Sequence, residues 1–313
     1  MRPAEKSSGP WSRYWRTGAL HSCISDKSGG SLSEEFWRDF FAGIEGPVRL
    51  VDVGTGNGLI PLLATRCLGN RATIYGIDAA QIHPEATRHH ELAGVEFMSG
   101  VVAEQLPFDS SSINVLTAQF ALEYSDIPSS LDEALRVLAP EGRIALVMHA
   151  HDSQISAVSR AQLGQMEWLR RPGGFLDSAH SMIQVIESRR TTGLDDGSHV
   201  VVRRRYNDVA RDLIGKLDQE KMGDVLGRAA IVVQRALAAA ASGAGAQEIA
   251  AFKSLPAELE DETARLQEQL AAARTTDQVR GVEDRLGAAG MGVVTGSLHQ
   301  HGQLMAYTLV AKR

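Results

Sequence analysis

The segment "VDVGTGNGL" ends an apolar run on an aspartate, Asp52, and then leaves every second position, Gly54, Gly56 and Gly58, without a side chain. Glycine at that density weakens any regular element, so the bare backbone implies a ligand that needs the space. Three ligand chemistries compete for such a loop. A nucleoside triphosphate loop requires a Gly-Lys-Ser/Thr ending, and this loop carries no lysine. The dinucleotide fingerprint Gly-x-Gly-x-x-Gly fits Gly54 and Gly56, but its third glycine position falls on Leu59. The third pattern is an Asp-x-Gly-x-Gly-x-Gly loop with a second acid at the end of the next strand. Asp78, in "IYGIDAA", supplies that acid at a spacing able to pair with both hydroxyls of a ribose.

Proton chemistry has candidates further along. Gln119, Phe120, Glu123 and Tyr124 follow the apolar run "INVLTA" and should border the same crevice, and His149, His151 and Asp152 follow "RIALVM". A histidine titrates near neutrality and could deprotonate a hydroxyl or an amine. The plainer reading makes His149 a strand cap and His151 a solvated side chain. Two histidines beside an aspartate also suggest a metal, yet spacing indicates no third ligand. His89, His90, His299 and His301 are read as surface residues. In the leader, Trp11 shares a helix face with Tyr14 and Trp15, either as a lid whose aromatic faces attract a cation or as an anchor pinning the leader to the core.

These residues need a scaffold, and the chain alternates accordingly. "VRLVDV" (48–53), "ATIYGID" (72–78), "VEFM" (95–98), "INVLTAQ" (113–119) and "RIALVMH" (143–149) read as strands. Helical periodicity fills the intervals at 57–68 and 84–94 and in "SSLDEALRVLAPEG". Such alternation predicts βαβ units and a mostly parallel sheet covered on both faces. Upstream, Ser31 and Glu34 form a capping box for a helix carrying Phe36, Phe40, Phe41 and Ile44, ended by Gly46-Pro47. Residues 152 to about 285 are helical, with a break at Ser242–Gly245 and an ambiguous "SHVVVRRRY" that suits a strand or a helix entry. Runs 292–300 and 303–311 around Gly302 read as a terminal antiparallel hairpin.

At the Asp52–Gly58 loop and Asp78 the chain resembles the class I S-adenosylmethionine-dependent methyltransferases. The likeness extends into "MSGVVAEQLPFDSSSINVLTAQFALEYSD", "ALRVLAPEGRIALVMH" and the final hairpin, covering roughly residues 45–150 and 285–313. The resemblance implies a Rossmann-like, doubly wound α/β sheet of seven strands with the last antiparallel and a helical insertion between strands five and six. It divides the chain into a leader and helix (1–45), a cofactor-binding core (46–151), the insertion (152–285) and the terminal hairpin (286–313). It implies S-adenosyl-L-methionine as cofactor, with Asp52, Gly54, Thr55, Gly56 and Gly58 around the methionine moiety and Asp78 and Ala79 at the ribose. Gln119 is expected to border the cofactor. Where many relatives carry an aspartate for the adenine amino group this chain has Val102, which leaves Glu104 or backbone near Ala103. The family has no universal catalytic residue, so His149, Glu123 and Tyr124 are candidates by position alone.

Bulk properties narrow the partners. The 313 residues are 43% hydrophobic and 22% charged with net charge -6, which disfavours nucleic acid or an anionic membrane as the main partner. The two cysteines, Cys23 and Cys67, exclude a disulfide framework. No apolar run approaches membrane-spanning length by this reading, and the expected compartment is the cytoplasm. The insertion holds the arginine runs Arg170-Arg171, Arg189-Arg190 and Arg203–Arg205, offset by nearby acids, and Leu259, Leu266 and Leu270 at helical spacing, a seam for a homodimer or ordinary packing. The expected reaction is methyl transfer to oxygen or nitrogen of a small organic acceptor. The alternatives are a methyltransferase acting on RNA or protein, or a non-catalytic cofactor-binding subunit.

Overall fold

The computed structural model describes residues 9–22, 32–193, 197–220, 222 and 224–313. The chain divides into two compact units, residues 1–156 with 268–313, and residues 157–267.

The first unit is built on a seven-stranded sheet ordered β3-β2-β1-β4-β5-β7-β6. Its strands are β1 (Val48–Val53), β2 (Ala72–Asp78), β3 (Glu96–Ser99), β4 (Ile113–Gln119), β5 (Leu138–His149), β6 (Gly292–Gln300) and β7 (Gln303–Lys312). Pairs among β1 to β5 are parallel, whereas β7 runs antiparallel to both β5 and β6. The expected seven strands with a reversed last strand are therefore present. His301 and Gly302, both at positive φ (49° and 78°), make the tight turn between β6 and β7.

Alternation along the central strands explains how both faces are covered. Leu50, Ile74, Val115, Ala145 and Val147 pack on one face with Trp37, Phe41 and Leu63. Their neighbours Val51, Ile77, Leu116 and Leu146 pack on the other with Leu131, Leu138, Val282 and Leu286. Successive side chains of a strand point to opposite faces, so apolar runs buried on both sides suit a central parallel strand. Between β1 and β4 the chain order reverses, and the carboxyl ends of the strands there leave the crevice in which such sheets take ligands.

One local expectation fails and one ambiguity is decided. Residues 84–94 form short 3-10 turns, Pro84–Thr87 and His90–Gly94, rather than one helix. Arg88 adopts left-handed backbone (φ 61°) and His89 is extended, which ends the first turn after a single coil. The ambiguous "SHVVVRRRY" opens a helix, Ser198–Gln219. Its Val200 and Val201 are exposed, and the face that fixes the helix lies further on, where Tyr206, Val209, Ala210 and Leu213 meet the core of the second unit. The Ser31 cap falls outside the described residues, as does Cys23; the helix it was to start spans Leu32–Ala42.

The second unit is helical. Its core joins Phe175 and Leu176, Leu213, Val225, Leu226 and Val233, and Phe252, Leu255 and Leu259 from successive helices. The break at 242–245 separates helices Val225–Ser242 and Ala246–Ala272, and the second continues through Pro256. Contrary to expectation, Val225–Ser242 is long and apolar enough to cross a membrane by length and composition. Val225, Leu226, Ala229, Val233, Ala236, Ala239 and Ala240 make up its buried face, which packs in this unit's core.

Candidate active site

Strand β1 delivers Asp52 to the crevice 1% exposed. Its carboxyl is pushed up to about 7, chiefly by burial; the hydrogen bond from Thr117 pulls it down and the charge of Asp78 adds to the rise. The Thr117 hydroxyl donates to its Oδ1 at 2.8 Å, tying the acid to the neighbouring β4.

The glycine loop that follows has little room. Gly54 has φ 66°, and a Cβ there would stand 2.2 Å from the Cβ of Ala121. A Cβ on Gly56, at φ 54°, would meet the ring of Trp15 at 2.5 Å. Both positions therefore demand glycine for conformation and for space. Gly56 thus seats a leader side chain, and neither it nor Gly58 lines the cavity described below.

Asp78 at the end of β2 locks this loop. Its Oδ2 accepts from the Gly56 amide and its Oδ1 from the Ala80 amide, both at 2.8 Å. Asn57, fully buried, does what the sequence reading missed: Nδ2 donates to the carbonyls of Trp15 and Ala19, and Oδ1 accepts from the His83 amide, all at 2.8 Å. One side chain thereby clips the leader, the glycine loop and the segment after β2 together. A polar residue set between two glycines was its only signal in the sequence.

The leader's helix, Pro10–Trp15, lies along the same crevice. Trp11 stacks on Trp15 at 6.1 Å, stands edge-on to Tyr124 at 5.8 Å, and donates from Nε1 to Glu268 Oε2 at 2.7 Å. Ser12 Oγ accepts from the Gln81 amide at 3.0 Å. Gln119 Oε1 accepts from Trp37 Nε1 at 2.6 Å.

All this encloses one cavity of about 640 Å³. Asp52, Gly54, Thr55, Asp78, Ala79, Ala103, Glu104, Gln119, Glu123 and Tyr124 line it, joined by Trp11, Trp15, His21, Val102 and Glu268. That size suits a bound organic cofactor with a small second ligand.

The candidate catalytic residues separate. Glu123 sits in the short turn Leu122–Tyr124, 2% exposed, with Oε1 accepting from the His149 amide at 2.8 Å. Its Oε2 has no hydrogen-bond partner among the described residues. Burial pushes this carboxyl up to about 7, against the pull of the His149 amide and the charge of Arg274. His149 is fully buried, does not line the cavity, and stacks on Phe120 at 4.2 Å. Burial alone lowers it to about 3, so its imidazole stays neutral. Its backbone, not its ring, reaches the site. His151 is exposed beside Asp152 at 2.8 Å. Among the described residues no group of three or more His, Cys, Asp or Glu side chains is placed to hold a metal.

Residues 51–146, the stretch from β1 to β5 that carries this loop, match the family described as a methyltransferase domain. That stretch is similar to a methyltransferase domain, in keeping with the resemblance carried by the glycine loop and Asp78. The uncharacterized methyltransferase YcgJ of Bacillus subtilis is 31% identical over 106 residues, 32% of this chain and 40% of YcgJ. The phthiotriol/phenolphthiotriol dimycocerosates methyltransferase of Mycobacterium leprae is 34% identical over 102 residues, 31% of this chain and 36% of that protein. The chain thus spans less than half the length of the curated relatives it matches. The crystal structure of YcgJ is 16% identical with a TM-score of 0.38, covering 90% of this chain and 97% of that one. The fold assignment rests on the strand order, not on that superposition.

The residues of this methyltransferase domain fit S-adenosylmethionine. Bare backbone at Gly54 and the carboxyls of Asp52 and Asp78 border a cavity of adequate volume, and acids suit a ligand carrying a sulfonium and an ammonium.

Proposed function

We propose that the chain transfers a methyl group from S-adenosylmethionine to oxygen or nitrogen of a small organic acceptor, with Glu123 as general base. In this reading Asp52, Gly54 and Thr55 hold the methionine moiety, Asp78 and Ala79 the ribose, and Val102, Ala103 and Glu104 the adenine edge. Gln119, fixed by Trp37, closes the wall between the two ligands. The cofactor, when bound, supplies a methyl carbon already activated by a sulfonium. The protein's share is to position the acceptor in line with that carbon, to exclude water, and to accept a proton. Positioning of this kind contributes several kcal/mol to lowering a barrier. Tyr124, beside Trp11, contributes to the acceptor wall.

The observation that carries the reading is Glu123: a buried carboxyl at the cavity wall with one oxygen held and the other without a partner among the described residues. A base positioned this way, titrating near neutrality, suits an acceptor that must lose a proton before attack. His149 is left out of the proton path because its ring is neutral, enclosed and away from the cavity. The test is titration calorimetry with S-adenosylhomocysteine, followed by turnover with an acceptor panel. Micromolar binding is expected for the wild type. Preference for a nicotinamide dinucleotide would overturn the reading.

A further inference from the structure

The charged groups lining the cavity share one sign. Asp52, Asp78, Glu104, Glu123 and Glu268 line it, and no described lysine or arginine does. Its one histidine, His21, is held below its ordinary value by burial, although Glu34 pulls the other way. S-adenosylmethionine carries two positive groups and one carboxylate, so its net single charge meets Asp52 and Asp78 and leaves the remaining acids unmatched. Glu123 and Glu268 belong to the end of the cavity where Trp11 meets Tyr124 edge-on. An acceptor bearing a carboxylate or phosphate would face like charge there, which weakens its binding.

We propose that the acceptor is an amine, bound as its ammonium ion between the carboxylates of Glu123 and Glu268 and against the rings of Trp11 and Tyr124. The inference rests on the cofactor reading of the same cavity. Aromatic faces attract a desolvated ammonium, and two carboxylates give it charge-assisted hydrogen bonds. Arg274 does not occupy this end: its guanidinium donates to the Glu123 backbone carbonyl, its charge draws the Glu123 carboxyl down from outside, and it does not line the cavity. The chemistry balances. The ammonium gives one proton to the Glu123 carboxylate, and the freed nitrogen lone pair forms the new C–N bond. The C–S bond breaks with its electron pair left on sulfur, and Glu123 returns its proton to solvent.

Three ligands of one skeleton test the proposal: benzylamine, benzyl alcohol and benzoate, titrated calorimetrically into the full chain saturated with S-adenosylhomocysteine. Benzylamine is expected to bind at least tenfold more tightly than benzyl alcohol, with benzoate weakest. Glu268→Gln keeps an acceptor for the Trp11 indole, and should weaken benzylamine at least threefold while benzyl alcohol shifts less than twofold. Equal binding of the three, binding by none, or benzoate in first place would overturn the amine assignment. Failure of S-adenosylhomocysteine itself to bind would instead refute the cofactor reading.

Discussion

Asp52, near the end of β1, and Glu123, in the turn that follows β4, are both buried carboxyls pushed up to about 7 by burial, yet they are built into the molecule differently. Asp52 belongs to a region tied together by hydrogen bonds, the Thr55 hydroxyl apart: Thr117 donates to it, Asp78 binds two loop amides, and Asn57 ties three segments. Glu123 keeps an oxygen without a partner among the described residues, on a cavity wall it shares with Trp11, Tyr124 and Glu268. In the proposed reading the first arrangement holds the cofactor, whose shape is always the same, and the second leaves capacity for an acceptor that arrives with each turnover and gives up a proton.

The contrast can be broken most severely at Gly54. Gly54→Val forces a side chain to within 2.2 Å of Ala121 in left-handed backbone and should cost on the order of 4 kcal/mol, seen as a large loss of melting temperature and of S-adenosylhomocysteine binding. Glu123→Gln attacks the other half. It should lower kcat/KM about 100-fold and remove the rise of activity with pH through about 7, while S-adenosylhomocysteine affinity changes less than threefold. Retention of that pH limb would place the base elsewhere.

Asp78→Ala should raise the S-adenosylhomocysteine dissociation constant roughly tenfold and also destabilise the loop, since two amides lose their acceptor. Asp78→Asn, which restores one acceptor, separates the two effects. The Asp52 carboxyl makes a pH prediction about stability. Its folded-state value lies above the unfolded one, so the folded state holds its proton more tightly and stability falls as pH rises from about 4 through about 7. Asp52→Asn should therefore gain stability relative to wild type across that window, on the order of 3 kcal/mol at most, in chemical denaturation at pH 5 and pH 8. The smallest effect is expected from His149→Gln: kcat within about threefold and an unchanged pH profile, because the ring is outside the cavity and already neutral.

How far the sequence was readable depended on the range of the forces involved. β1, β2 and β4 were legible because β-branched and apolar residues in short runs bounded by Gly or Asp have few alternatives. The turns at 84–94 were misread because helical composition said nothing of Arg88 turning left-handed. Helix Ser198–Gln219 was ambiguous because its first turn is rich in valine, and the packing that decides it comes from residues further along. At the site, Asp52, Asp78 and the glycines were marked by type and spacing. Glu268 carried no mark, because its significance comes from Trp11, 257 residues away.

By itself the sequence determined the acid-bounded glycine loop and the order of strands and helices, since conformational preference and alternation are properties of adjacent residues. Tertiary structure alone decided that Gly56 seats Trp15, that His149 is sealed away neutral, and that the cavity gathers five acids and no described lysine or arginine. The reason is that burial and local field are set by neighbours in space, and those neighbours are far apart along the chain.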